Sequence, residues 1–83
     1  MLIGKEVIHE YRGRGTVTAV ENGKVTVRFG DEYSMDFPYP AEFDRMLTLK
    51  KYDPEARQEI AAARAADRLA RAEAYRNRKK EHE

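Results

Sequence analysis

Two histidines, a short acidic stretch, one nearby serine and a pair of glycines are the residues from which a reaction centre would have to be built. His9 falls on the inward phase of an alternating segment and His82 lies in the C-terminal tail. Two such imidazoles without neighbouring ligands do not make a metal set. His9 is instead expected to be structural, its ring packed and its nitrogens bonded to backbone. Asp31, Glu32 and Asp36 occupy turn and outward positions, where carboxylates stay solvated and no apolar pocket raises their pKa for acid-base work. Ser34 is solvent-facing and has no base beside it, and the chain contains no cysteine. Gly13 and Gly15 are followed by a β-branched run, whereas a phosphate loop needs a lysine and a helix at that point. No catalytic residue, cofactor or metal site is expected, and the chain reads as a non-enzyme.

Charge is the more informative feature. Residues 1–53 carry eight Lys/Arg against nine Asp/Glu, and residues 54–83 carry eight against six, so the small net charge of +1 hides a basic C-terminal segment. Arg57, Arg64, Arg68, Arg71, Tyr75 and Arg78 recur at intervals of seven, four, three, four and three. On a helix this spacing forms one stripe, with Glu55, Glu59 and Glu73 opposite. A basic stripe with an interleaved aromatic can follow phosphates, and Arg12 and Arg14 on the first turn would extend it. A solvated helix with scattered ion pairs, such as Asp67 with Arg71 four residues on, explains the same residues. Ala56, Ile60, Ala63, Asp67, Ala70 and Ala74 form a second stripe at coiled-coil spacing, which would pair the helix with a partner or with itself.

The elements that position these residues are short. Val7, His9 and Tyr11 alternate with Glu6, Ile8 and Glu10 as a strand with one buried face. Arg12-Gly13-Arg14-Gly15 breaks that strand. Thr16–Val20 and Lys24–Phe29 are joined by Glu21-Asn22-Gly23, and Asn-Gly supplies the positive φ angles of a type I′ hairpin. Val25, Val27 and Phe29 then point inward, and Glu21 faces Lys24. Tyr33, Met35 and Phe37 mark a fourth strand, which Pro38 and Pro40 end. Ala41–Arg45 reads as one helical turn that drops Phe43 onto the barrel mouth, and Met46–Leu49 as a closing strand. Five short strands with this turn before the last make a small barrel. Tyr11, Tyr33, Phe37, Tyr39 and Phe43 are expected to pack the core, in preference to caging a methylated cation. Asp53-Pro54-Glu55 starts a helix as N-cap, first-turn proline and dipole-complementing acid. Nine alanines and few poor helix formers carry it to about Lys80, roughly 40 Å at 1.5 Å per residue.

The expected fold is therefore mainly β with a C-terminal α-helix: a five-stranded SH3-like barrel over residues 1–52 and an Ala/Arg-rich helical extension over 53–83, its last residues frayed. A core of this size is marginal. The absence of cysteine rules out a disulfide framework and leans towards the cytoplasm. No apolar run approaches membrane-spanning length, and the first residues are too short for a secretory segment.

Gly4-Lys5-Glu6-Val7-Ile8-His9-Glu10-Tyr11-Arg12-Gly13-Arg14-Gly15-Thr16-Val17, then Val25-Thr26-Val27-Arg28-Phe29, then Phe37-Pro38-Tyr39-Pro40-Ala41-Glu42-Phe43 together look like a known bacterial pattern, G-x-x-V-x-H-x-x-x-G-x-G-x-V … V-x-V-x-F … y-P-x-x-F. Over residues 4–49 it resembles the Tudor-like SH3 barrels at the C-termini of UvrD/PcrA-type DNA helicases. It is less closely similar to the RNA-polymerase-interacting domains of the CarD and transcription-repair coupling factor type. The resemblance implies a docking module of DNA- or RNA-handling machinery that grips a protein, often by a sheet edge. Two features depart from the pattern. The aromatic that usually precedes the first turn glycine is Tyr11, with Arg12 between, and the helical tail has no counterpart. The expected partner is a protein, with the helix as a second contact. Direct nucleic-acid binding, a helix-mediated oligomer and a small inhibitor from a mobile element are the alternatives.

Overall fold

The computed structural model describes residues 1–31 and 33–81, with side-chain surroundings through Ala74. Glu32, His82 and Glu83 lie outside the described residues. Strands β1 (Glu6–His9), β2 (Gly13–Glu21), β3 (Lys24–Phe29), β4 (Tyr33–Pro38) and β5 (Leu47–Leu49) form one antiparallel sheet in the order β4-β3-β2-β1-β5. A single 3₁₀ turn (Ala41–Asp44) precedes β5, and helix α1 (Pro54–Glu81) follows it. Among the described residues no ladder joins β4 to β5, so the sheet is open and each of these strands keeps one unpaired edge.

The β2–β3 hairpin forms as expected. Asn22 has φ 52° and Gly23 φ 73°, both positive, and Glu21 faces Lys24 across the turn. Val25, Val27 and Phe29 are buried, while Lys24 and Arg28 are exposed. A bulge shifts the β2–β3 register between Val17 and Ala19. An extra residue re-phases the strand, which is why Val20, three residues from Val17 and on the opposite face under strict alternation, still packs against the core.

Two expectations about the first turn are corrected. Strand β2 starts at Gly13, not Thr16, because Gly13 pairs with His9 and Gly15 with Val7. Gly15 is therefore an interior strand residue. A Cβ on it would meet Val27 Cγ1 at 2.5 Å and the Arg28 carbonyl oxygen at 3.0 Å, so the close passage of β3 requires glycine here. Tyr11 does not continue the buried face of β1: it is 77% exposed. The strand ends at His9, whose Nδ1 accepts the backbone N–H groups of Tyr11 and Arg12 at 3.1 and 3.2 Å and so folds the chain over. His9 is itself buried, 5.1 Å from the Phe37 ring and 6.1 Å from Phe29.

The core consists of Leu2, Val7, Val17, Val25, Val27, Phe29, Phe37, Leu47, Ala56 and Ile60. Two of these belong to the helix, so its first turns share one apolar interior with the sheet. Burial of Ala56 and Ile60 follows from spacing: four residues apart, they lie on one face, and Ile60 is the only large apolar side chain of the helix's first half. Asp53 fixes where that face begins. Its Oδ1 accepts the Ala56 N–H at 3.0 Å, capping the helix as expected, and Leu2 N–H donates to Glu59 at 2.9 Å. Beyond Arg64 only Asp67 is partly covered, and the remaining side chains to Ala74 are exposed, including Leu69 at 63%. The molecule measures 53 × 27 × 19 Å, its length set by this projecting helix. No helix among the described residues is long and apolar enough to cross a membrane.

Candidate functional site

Strand β5 pairs with β1 on one side only. Thr48 stands opposite Ile8, while Glu10 N–H donates to the Met46 carbonyl and Lys50 N–H to the Glu6 carbonyl. In an antiparallel ladder alternate residues bond to opposite sides, so Met46, Thr48 and Lys50 face β1. The N–H and C=O groups of Leu47 and Leu49 then point away from the sheet, as an unused strand edge.

That edge opens onto a groove of about 440 Å³. Its floor is apolar, from Phe43, Leu47, Leu49 and Ile60, and its walls carry Lys51, Arg57 and Arg64 with the Tyr52 ring. The two arginines are there because of Ile60. They lie three residues before it and four after it, so once Ile60 is buried both flank the contact. The Arg57 guanidinium sits 5.4 Å from the centroid of the exposed Tyr52 ring. Arg64 Nη2 donates to Asp44 Oδ1 at 2.6 Å, tying the helix to the 3₁₀ turn, but its Nε is sealed from solvent and has no acceptor among the described residues. Among the described residues no acidic side chain lines the groove.

The basic stripe read from the sequence is thus divided by its surroundings. Arg57 and Arg64 belong to the groove, Arg71 is paired with Asp67 at 3.3 Å, and Arg68 is exposed with no ion pair among the described residues. The side chains of Tyr75 and Arg78 lie outside the described residues. Arg12 and Arg14 are exposed on the β1–β2 turn and the start of β2. Arg14 lines a different shallow groove with Glu6, Thr16, Arg28 and Asp31, which shares no residue with the first. Ala56 and Ile60, the start of the alanine stripe, are buried against the sheet and are not available to a second helix, whereas Ala70 and Ala74 are exposed.

The aromatic side chains separate into two groups, and Tyr33, expected in the core, is 46% exposed because it stands at the start of edge strand β4. Tyr33 stacks on Phe29 at 5.6 Å, and Phe29 meets Phe37 edge-on at 6.1 Å. Tyr39 meets Phe43 edge-on at 6.1 Å, and burial, with a smaller push from the Glu59 charge, raises the Tyr39 phenol above its ordinary value. Among the described residues no three His, Asp or Glu side chains converge.

Sequence reasoning missed Lys51, Tyr52 and the β5 edge as parts of one site. The available signal was the i−3 and i+4 placement of Arg57 and Arg64 around Ile60, which marks the border of the docked helix face. Comparison of the chain with family models, with curated proteins and with solved structures finds no match.

Proposed function

We propose that this chain is a non-enzymatic docking module that binds a protein component of DNA- or RNA-handling machinery through the free edge of β5, with the helix as a second contact. The observation that carries this reading is the outward-pointing backbone of Leu47 and Leu49 beside an apolar groove, because unpaired strand edges are templates for strand addition. The strand order and the 3₁₀ turn before the last strand support the view that the sheet curls into a small SH3-like barrel of the Tudor-like kind. The likeness of residues 4–49 to helicase-associated and polymerase-interacting barrels supports the assignment to DNA or RNA machinery.

A pull-down from the source cell tests this, run with and without nuclease and with wild type beside Leu49→Pro. Proline at 49 removes an outward N–H without breaking the β1–β5 ladder. A nuclease-resistant partner lost on Leu49→Pro supports protein docking at this edge. Capture that disappears with nuclease favours direct nucleic-acid binding, and capture indifferent to Leu49→Pro removes β5 as the contact.

A further inference from the structure

We propose that the groove between β5 and α1 selects an extended, acidic peptide segment, which adds to the β5 edge and seats a carboxylate between Lys51, Arg57 and Arg64. The inference rests on the docking role of β5 and adds to it the chemistry of the partner.

Three observations point to this occupant. Lys51, Arg57 and Arg64 line the groove, and among the described residues the one carboxylate bonded to them is Asp44 on Arg64. Among the described residues Lys51 and Arg57 have no carboxylate within ion-pair distance, so the groove keeps two unpaired cations. The Arg64 side chain, although bonded to Asp44, stays 40% exposed, so its guanidinium is within reach of an incoming carboxylate. The floor of Phe43, Leu49 and Ile60 is apolar and adjoins free backbone groups, which suits alternating side chains of an added strand.

A phosphate backbone fits less well. Arg57 lies over the Tyr52 ring and Arg64 is already bonded to the Asp44 carboxylate, a negative charge that repels a polyanion more than it repels a single acid. An Asp or Glu within a β-forming peptide brings one charge to the site and leaves Asp44 in place.

The test is selection of a display library of short unstructured peptides on the full chain, followed by affinity measurement of the enriched sequences. The expected consensus is an Asp or Glu within an alternating apolar or β-branched run. Replacing that acid by its amide, or Arg57 by glutamate, weakens binding about tenfold or more, the effect of losing one charge-assisted hydrogen bond. Lys24→Gln, on the distant hairpin, leaves affinity unchanged. Arg57 is exposed, so Arg57→Glu folds, and its thermal transition verifies this; N-methylation of Leu49 in a synthetic chain serves beside Leu49→Pro.

Peptides lost on Leu49→Pro but without acidic preference and indifferent to Arg57→Glu would overturn the carboxylate site while leaving strand docking intact. Peptides indifferent to both changes, or no enrichment at all, would overturn both. A single-stranded oligonucleotide that competes at this groove, depends on Arg57 and weakens log-linearly with salt would replace the peptide as occupant.

Discussion

Lys5 Nζ lies 2.7 Å from Asp53 Oδ2, while the other oxygen of the same carboxylate caps α1 through the Ala56 N–H at 3.0 Å. One side chain thereby joins the segment before β1 to the first turn of the helix. The Lys5 ammonium, with the Ala56 N–H second, holds the Asp53 carboxyl below its ordinary value of 3.8, and the same pair raises Lys5 above 10.5.

Acid should therefore loosen the helix from the sheet. A carboxyl with a depressed folded-state pKa contributes stability that is complete above its unfolded value and drains away as pH falls through the folded one. Loss is expected below about pH 3.8, with Glu6, held low by Lys50 at 3.0 Å, adding to it. At the alkaline end the raised Lys5 contributes fully below 10.5 and is lost above it. Asp53→Asn retains a competent cap but removes the ion pair. Thermal unfolding followed by circular dichroism from neutral pH to pH 2 should show a flatter acid limb for Asp53→Asn; an identical limb would exclude this pair as a source of acid sensitivity.

His9 should be important to stability through its ring and its Nδ1 together. His9→Ala leaves two turn N–H groups without their acceptor and a void against Phe29 and Phe37, a loss of about 2–4 kcal/mol. His9→Asn restores an acceptor near the Nδ1 position and recovers part of that. Urea titration checks the ranking, and equal stability of the two variants would mean that the turn bonds contribute nothing.

Gly13 and Gly15 should fail for different reasons when replaced by alanine. At Gly13, φ is 82° and nothing lies within 4 Å of the added Cβ, so the cost is backbone strain of about 1 kcal/mol. At Gly15 the Cβ collides with Val27 Cγ1 and the Arg28 carbonyl, an overpacking cost of about 1–3 kcal/mol. Adding Val27→Ala relieves part of the second effect and none of the first. A double-mutant cycle by urea unfolding distinguishes them, and strict additivity at Gly15 with Val27 would contradict the collision.

Along α1, the cost of truncation should fall abruptly after Arg64. Ile60 is 5% exposed and Leu69 63%. Ile60→Ala is expected to destabilise by about 2–4 kcal/mol and Leu69→Ala by under about 0.5 kcal/mol. Hydrogen exchange gives the same division independently, with slow amides through the first turns and fast exchange beyond. Equal protection along the whole helix would mean that the distal half has a partner of its own.

What could be read in advance was whatever depends on neighbours along the chain. Asn22-Gly23 needs positive φ whatever surrounds it, and Asp53-Pro54 caps a helix by local hydrogen bonding, so both appear where expected. The position of Gly15 beneath Val27, the bulge after Val17 and the exposure of Tyr11 depend instead on which strand passes over which residue, and alternation alone carries no such information. The candidate site divides the same way. Helical spacing placed Arg57 and Arg64 on one stripe, but only the docking of Ile60 brings them beside Lys51, Tyr52 and the edge of β5. Arg68 and Arg71, equal members of that stripe in sequence, are left on the projecting part.

That projecting part behaves mechanically as a pointer. From Arg64 to Glu81 the helix extends roughly 25 Å past its last bonded contact with the 3₁₀ turn. A small tilt about Ile60 would be magnified into a sweep of several ångströms at the far end.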